Sequence, residues 1–372
     1  MRVRQIDTHN AHDVRRFVRF PFALYRGSPY WVPPLLADAR QILDEDHHPY
    51  YQHSAAAFFL AERDGEVVGR IAAMDNRPYN AHYRSKVASF GYLETINDEA
   101  VARALFDACA AWAAARGLTE MYGARELLGV DTSGILVEGF DQLPALGVPY
   151  NPPYYDSLVR AAGFEKVVDA LGGYISGDAA LPERFERIAA WVRRRAGLHI
   201  KSFAPGEDLR PWVPHVTRIF DVAFAHNRDW YPLSPAEMEH IAARMITLVD
   251  PRLSKLVMKD DQVVGFALLT PNFGRGLQRA RGHLWPLGWW HIQRDRRRTR
   301  RLDGSGVGLL PAYQGVGADA LLFSELAKTI KHYGYQHIDL VHVGEDNFRS
   351  RSDQEAVGVR WYKRHRIYRR EI

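Results

Sequence analysis

The chain predicts an α/β fold of two tandem domains, each a twisted mixed β-sheet flanked by helices. Three observations predict it. The sequence has 372 residues, more than the roughly 250–300 at which one hydrophobic core stops growing. One order of elements (hairpin, strand, helix, strand) runs through the chain twice. The second copy alone carries a glycine turn where a strand meets its long helix.

The elements follow from residue pattern. Met1–Ile6 alternates like a strand and Asp13–Tyr25 has helical spacing; Leu198–Phe203 and Asp208–Phe224 repeat that pair. Ala57–Met74 reads as a hairpin turning at Asp64-Gly65. Lys255–Thr270 matches it, with Val67-Val68-Gly69 answered by Val263-Val264-Gly265. Each copy continues with an apolar strand, Ala88–Ile96 and Gly304–Leu310, then an amphipathic helix, Glu99–Arg116 and Val316–Tyr333. Gly117 and Gly334 stand as helix stops. A further strand follows, Glu120–Ala124 and His337–Val343, and then a last helix, Tyr154–Ala162 and Ala356–His365. Helices alternating with strands after a hairpin give a mixed sheet with helical cover. The connector Ser176–Gly197 sets the expected domains at 1–180 and 181–372.

Composition excludes several classes. Hydrophobic residues make up 47% and charged residues 25%, which is a packed chain rather than a disordered one. One cysteine, Cys109, rules out an internal disulfide framework and a cysteine-rich metal site; its apolar surroundings make it a core thiol. No metal ligand set is expected. The N-terminus lacks a signal-peptide core, and no stretch reaches the ~20 apolar residues of a membrane span, so a cytoplasmic protein is expected. The net charge of +5 suits an acidic ligand or an anionic surface without choosing between them.

The most informative segment is Leu309-Leu-Pro-Ala-Tyr-Gln-Gly-Val-Gly-Ala-Asp-Ala-Leu-Leu. The strand ends at Pro311, Gln314-Gly315-Val316-Gly317 follows, and a helix starts at once. Glycines there let the backbone approach a ligand and aim free N–H groups at it, and the helix N-terminus adds partial positive charge. A pyrophosphate is the natural guest. The spacing is not that of a Walker loop, and a dinucleotide fingerprint needs a third glycine. An ordinary glycine turn into a helix is the plain alternative.

This stretch resembles the signature of the GNAT superfamily of N-acyltransferases, arginine or glutamine-x-x-glycine-x-glycine or alanine. Gln314 and Gly317 match, and Asp319 stands where glycine or alanine is usual. The resemblance implies two tandem GNAT-like domains and acyl-CoA as co-substrate, with no bound cofactor. It places the diphosphate on Gln314, Gly315, Val316, Gly317 and Ala318, and the pantetheine arm along Val307–Leu310, with Leu309 and Leu310 in contact. It offers Tyr362 as the acid for the leaving thiolate, or as a packed aromatic, with Arg366-Ile367 where the family usually has glycine-phenylalanine. Asn347 answers a pantetheine contact, or a turn or cap residue. Glu345 and Asp346 are candidate bases, or solvated loop charges. The first copy has Asn97-Asp98-Glu99 in place of the glycine loop, so it is expected to be a degenerate domain that shapes the acceptor site. Glu94, on the strand that often carries the base in one-domain relatives, is a candidate acceptor contact.

An insertion, residues 272–301, separates the second hairpin from its next strand. It holds Leu284-Trp-Pro-Leu-Gly-Trp-Trp-His-Ile and then Gln293-Arg-Asp-Arg-Arg-Arg-Thr-Arg-Arg. Tryptophans beside arginines suit an anionic membrane face. Packing on the first domain and nucleic-acid contact are the other readings, and no nucleic-acid-binding motif supports the last. With Trp31-Val-Pro-Pro-Leu, Val68-Gly-Arg-Ile-Ala-Ala and Tyr313-Gln-Gly-Val-Gly-Ala-Asp-Ala-Leu, the insertion makes the chain resemble the bacterial ceramide synthases. That resemblance implies acylation of a sphingoid base, a lipid amine, at the inner membrane face. Acetylation of a small soluble amine and a catalytically inactive acyl-CoA sensor or scaffold are the alternatives.

Overall fold

Both hairpins turn through an aspartate in the left-handed region. Asp64 (φ 52°) precedes Gly65 (φ 85°), and Asp260 (φ 52°) takes the same place in the second hairpin. Such turns match the right-handed twist of the strands they join. The computed structural model describes residues 1–128 and 133–372, without the side chains of Ser305 and Arg349. It divides into two units: Met1–Leu171 with Phe273–Asp295 and Lys363–Ile372, and Gly172–Asn272 with Arg296–Tyr362.

In the first unit the strands run Arg2–Gln5, Ala55–Arg63, Glu66–Asp75, Val87–Thr95, Glu120–Gly123, and then the end of Arg360–Glu371. Val87–Thr95 and Glu120–Gly123 are parallel, joined by the helix Glu99–Ala114. Asp98 caps that helix by accepting from the amides of Ala100 and Val101. Its buried face, with Leu105, Phe106, Cys109 and Trp112, meets Phe59, Ile71 and Phe90 of the sheet. Burial pushes the Cys109 thiol pKa up, so it is an unreactive core group.

In the second unit the strand order is Leu198–Ser202, Lys255–Lys259, Gln262–Pro271, Arg301–Leu309, His337–Gly344. The first four are antiparallel neighbours, and Arg301–Leu309 pairs parallel with His337–Gly344. The helix Ala318–Tyr333 joins that parallel pair and ends at Gly334 (φ 70°). Leu321, Leu322 and Leu326 pack it on Val257, Val264, Leu302 and Ile338. The helix Pro235–Leu248, absent from the sequence expectation, begins with a capping box of Ser234 and Glu237.

The expected last helix, Ala356–His365, is a correction. The chain forms a helix at Phe348–Glu355, turns at Gly358 (φ 95°), and runs as a strand over Arg360–Glu371. Lys363, His365 and Ile367 are buried at every second position. Two of those three are polar, which hid the period-two pattern. Their heads find carbonyl groups: Lys363 Nζ donates to Leu143 O at 2.8 Å, and the His365 ring meets Pro149 O at 3.0 Å.

Candidate active site

The glycine turn has the geometry expected of an anion cradle. Gly315 (φ 74°) and Gly317 (φ 91°) both hold left-handed backbone. The helix starts at Ala318, directly after Gly317. Among the described residues the amides of Gly315, Val316 and Gly317 donate to no protein acceptor. The Gln314 side chain donates back to Leu309 O at 3.0 Å, tying the turn to the strand end. Gly317 also allows a close helix approach, because a Cβ there would lie 2.6 Å from Ile188 and 2.7 Å from Val192. Val316 is exposed at the tip of the turn.

Beside the turn, the parallel strands diverge. Arg301–Gly304 pair with His337–Leu340, and among the described residues the two strands share no register partners beyond Gly304. The first strand continues to Leu309 on its other neighbour, with a register shift where its Gly304 and Gly306 meet the consecutive Leu269 and Leu268. The edge of Gly306–Gly308 that faces the gap is therefore open to an extended ligand, while Leu309 O is taken by Gln314. Gly308 is small of necessity, since a Cβ would strike the Phe266 ring at 2.7 Å.

At the root of the gap lies a buried polar network that sequence reasoning missed. Asp303 and Asp339 are register partners, each almost wholly buried. Asn272 donates to Asp303 at 2.9 Å. Arg301 donates to Asp339 at 3.1 Å, and His337 Nε2 lies 3.3 Å from the same carboxylate. A carboxylate inside each of two apolar strands was the available signal; their pairing depends on a register that local pattern does not reveal.

Tyr362 belongs to this network. It lies on the strand Arg360–Glu371 rather than on a helix, and its hydroxyl donates to Asp339. Burial, and then the Asp339 charge, hold the phenol pKa far above its ordinary value, so it keeps its proton. The loop residues are engaged too. Asp346 pairs with Arg228 at 2.6 Å, Glu345 accepts from Arg351 through its backbone oxygen, and Asn347 caps the helix Phe348–Glu355 by accepting from the Ser350 amide. The structure thus joins Tyr362 to Asp339 and gives Asp346 and Asn347 partners elsewhere.

A cavity of about 490 Å³ opens at Pro311, where the strand leads into the glycine turn. Val222, Ala225, Trp230, Pro232 and Leu233 line it, with Asp221 and His226 as its polar members. Burial raises the pKa of the Asp221 carboxyl.

Glu94 sits in the first unit. Its Oε2 accepts from the hydroxyls of Tyr25 and, at 3.0 Å, Tyr155, and Arg70 lies 3.9 Å from Oε1. Burial outweighs Arg70 and the two tyrosines and pushes its pKa up to about 7.

Among the described residues, no group of three or more His, Cys, Asp or Glu side chains is placed to hold a metal, and no helix is long and apolar enough to cross a membrane. No known family model matches the chain. Protein YghO of Escherichia coli (strain K12) is 25% identical over 371 residues, covering 98% of this chain and 94% of that protein. The bacterial ceramide synthase of Caulobacter vibrioides (strain NA1000 / CB15N) is 25% identical over 370 residues, covering 97% and 95%. Among solved structures, a tandem GNAT protein from the clavulanic acid biosynthesis pathway matches with a TM-score of 0.59 and 13% identity, over 100% of this chain and 98% of its own. The chain is a tandem GNAT-fold protein, similar over nearly its whole length to bacterial ceramide synthase.

Proposed function

We propose that the chain is an acyl-CoA-dependent N-acyltransferase that moves a long acyl chain onto the amine of a lipid-like acceptor, a sphingoid base. One observation carries this: Gly315, Val316 and Gly317 present unused amides at a helix start, beside a strand edge left open by its neighbour. Those amides and the helix dipole suit the diphosphate, and the open edge of Gly306–Gly308 suits the amide-bearing pantetheine arm. Leu309 and Leu310 flank that arm in this reading, and Ala318 closes the turn. A backbone N–H on that edge polarises the thioester carbonyl. The amine nitrogen bonds to the carbonyl carbon, the C–S bond breaks, one amine proton leaves to a base or water, and the thiolate takes a proton.

The apolar cavity at Pro311 supports an aliphatic chain over a small polar substrate. The similarity to bacterial ceramide synthase supports a sphingoid base as the amine. In this reading the enzyme is cytoplasmic and meets its acceptor at the inner membrane face, with Glu94 in the acceptor-shaping half. Glu345 and Asp346 are the bases to test, Asp346 in its pairing with Arg228, and Asn347, which caps a helix, is the pantetheine contact to test.

A second reading has its own support. Tyr362 is bound to Asp339 and Asp346 to Arg228, so a protein that binds acyl-CoA without turnover is consistent with the proton-transfer groups. Titration with acetyl-CoA and with a long-chain acyl-CoA, each in the presence of a sphingoid base or a soluble amine, separates the readings. The proposal expects preference for the long chain and an N-acylated sphingoid product. Binding with no product on any amine supports the sensor, and preference for acetyl-CoA with a soluble amine defeats the lipid reading.

A further inference from the structure

The insertion presents an apolar tip. Leu284, Trp285, Leu287, Trp289 and Trp290 are all exposed, Trp285 at 72% and Leu287 at 64%. They stand within seven residues, on the turn that follows the helix Gly274–Ala280 and on the first turn of the helix Gly288–Arg298. Isolated exposed apolar side chains are ordinary, but a contiguous cluster marks an interaction surface.

The base of the turn is firmly held, so a loose loop does not explain the exposure. The Gly276 amide donates to Asp295 at 2.8 Å, and a Cβ on Gly276 would lie 2.9 Å from His291 O. Gly282 O accepts from the Leu36 amide at 2.8 Å, and Gln278 donates to Pro29 O and Trp31 O. Ala280 and Ile292 are buried beneath.

Charge selects the occupant. Arg275, Arg279, Arg281 and Arg294 are exposed on this segment, and the Arg294 guanidinium stacks over the Trp290 ring, 5.2 Å from its centroid. The one carboxylate between residues 273 and 298, Asp295, is taken by Gly276. Tryptophan rings settle at the headgroup level, and arginines attract anionic lipid. A second copy of the chain docking here on a two-fold axis would bring arginine against arginine.

The run Arg294–Arg301 is not uniform. Arg296 donates to the carbonyls of Thr247, Leu248 and Val249, capping the end of the helix Pro235–Leu248, and Arg301 pairs with Asp339. These two are structural, which shifts the membrane-facing role away from the run as a whole.

We propose that Leu284–Trp290 is a membrane-docking tip that inserts its apolar side chains into the headgroup region of an anionic bilayer. This deepens the lipid-acceptor reading, and it is tested without turnover. The full chain is sedimented with vesicles of phosphatidylcholine alone and with phosphatidylglycerol added, alongside the triple variant W285S/L287S/W290S. The wild type is expected to pellet with the anionic vesicles, with a blue shift in tryptophan fluorescence. The triple variant is expected to lose at least about tenfold in partitioning while its melting temperature holds, since those side chains are solvent-exposed. Its turnover on a dispersed acceptor should match the wild type. Unchanged partitioning of the variant, a wild type that stays in the supernatant, or a wild-type dimer that the variant dissolves would each overturn the proposal. Vesicle binding in the absence of any turnover would preserve the tip and remove the enzymatic reading instead.

Discussion

Glu94 is held by two tyrosines and paired with Arg70, and its pKa of about 7 lies above the ordinary 4.5. Between those values the folded chain keeps a proton that the unfolded chain releases. Stability therefore falls as pH rises from about 4.5 to about 7, by about 2–3 kcal/mol if Glu94 acts alone. Glu94→Gln should remove that slope, as chemical denaturation at a series of pH values would show; an unchanged slope means another group titrates. Tyr362 makes the opposite kind of prediction. Tyr362→Phe strips a donor from the buried Asp339 and should cost about 1–3 kcal/mol. If the hydroxyl is also the acid for the thiolate, kcat should drop by about 100-fold with KM held; a stability loss with kcat retained assigns it to positioning.

Among the elements, the strand Arg360–Glu371 gathers two of its arginines on one buried acid. Asp169 is fully buried and accepts from Arg364 and Arg366, with Lys166 at 2.9 Å. Burial pushes its carboxyl up, but the hydrogen bonds from Arg366, Lys166 and Arg364 outweigh it and hold the pKa at about 2. That stability is complete above the ordinary 3.8 and is lost as pH falls toward 2. Asp169→Ala removes the acid the three cations share, leaving Arg364 to Glu138 and Arg366 to Asp156, and should cost about 3 kcal/mol, read from a shift in the denaturation midpoint.

This strand also shows where sequence stopped being informative. Lys363 and His365 sit on its buried face, so an apolar-periodicity reading saw a helix. The hairpin at Asp64-Gly65, its match over Lys255–Thr270 and the turn at Gly315–Gly317 were legible because each is specified by neighbouring residues. The Asp303–Asp339 pairing and the tie between Asp346 and Arg228 were not, because they join positions far apart in the chain through register and packing.

At the scale of the molecule, a repeated plan has diverged in its contents. One unit has the glycine turn, the open strand edge and the apolar cavity. The other begins its matching helix with an aspartate cap at Asp98 and holds Glu94 and the tryptophan tip. Acyl-CoA binding should therefore depend on the loop of the second unit. Val316 tests this well: it is exposed, and changing it should leave the fold intact. In calorimetric titration with a long-chain acyl-CoA, Val316→Glu should weaken binding by at least about tenfold, since a carboxylate then faces the diphosphate, while Val316→Lys should not weaken it. Equal affinity for the glutamate variant and the wild type, at equal melting temperature, would contradict the assignment of the coenzyme to this turn.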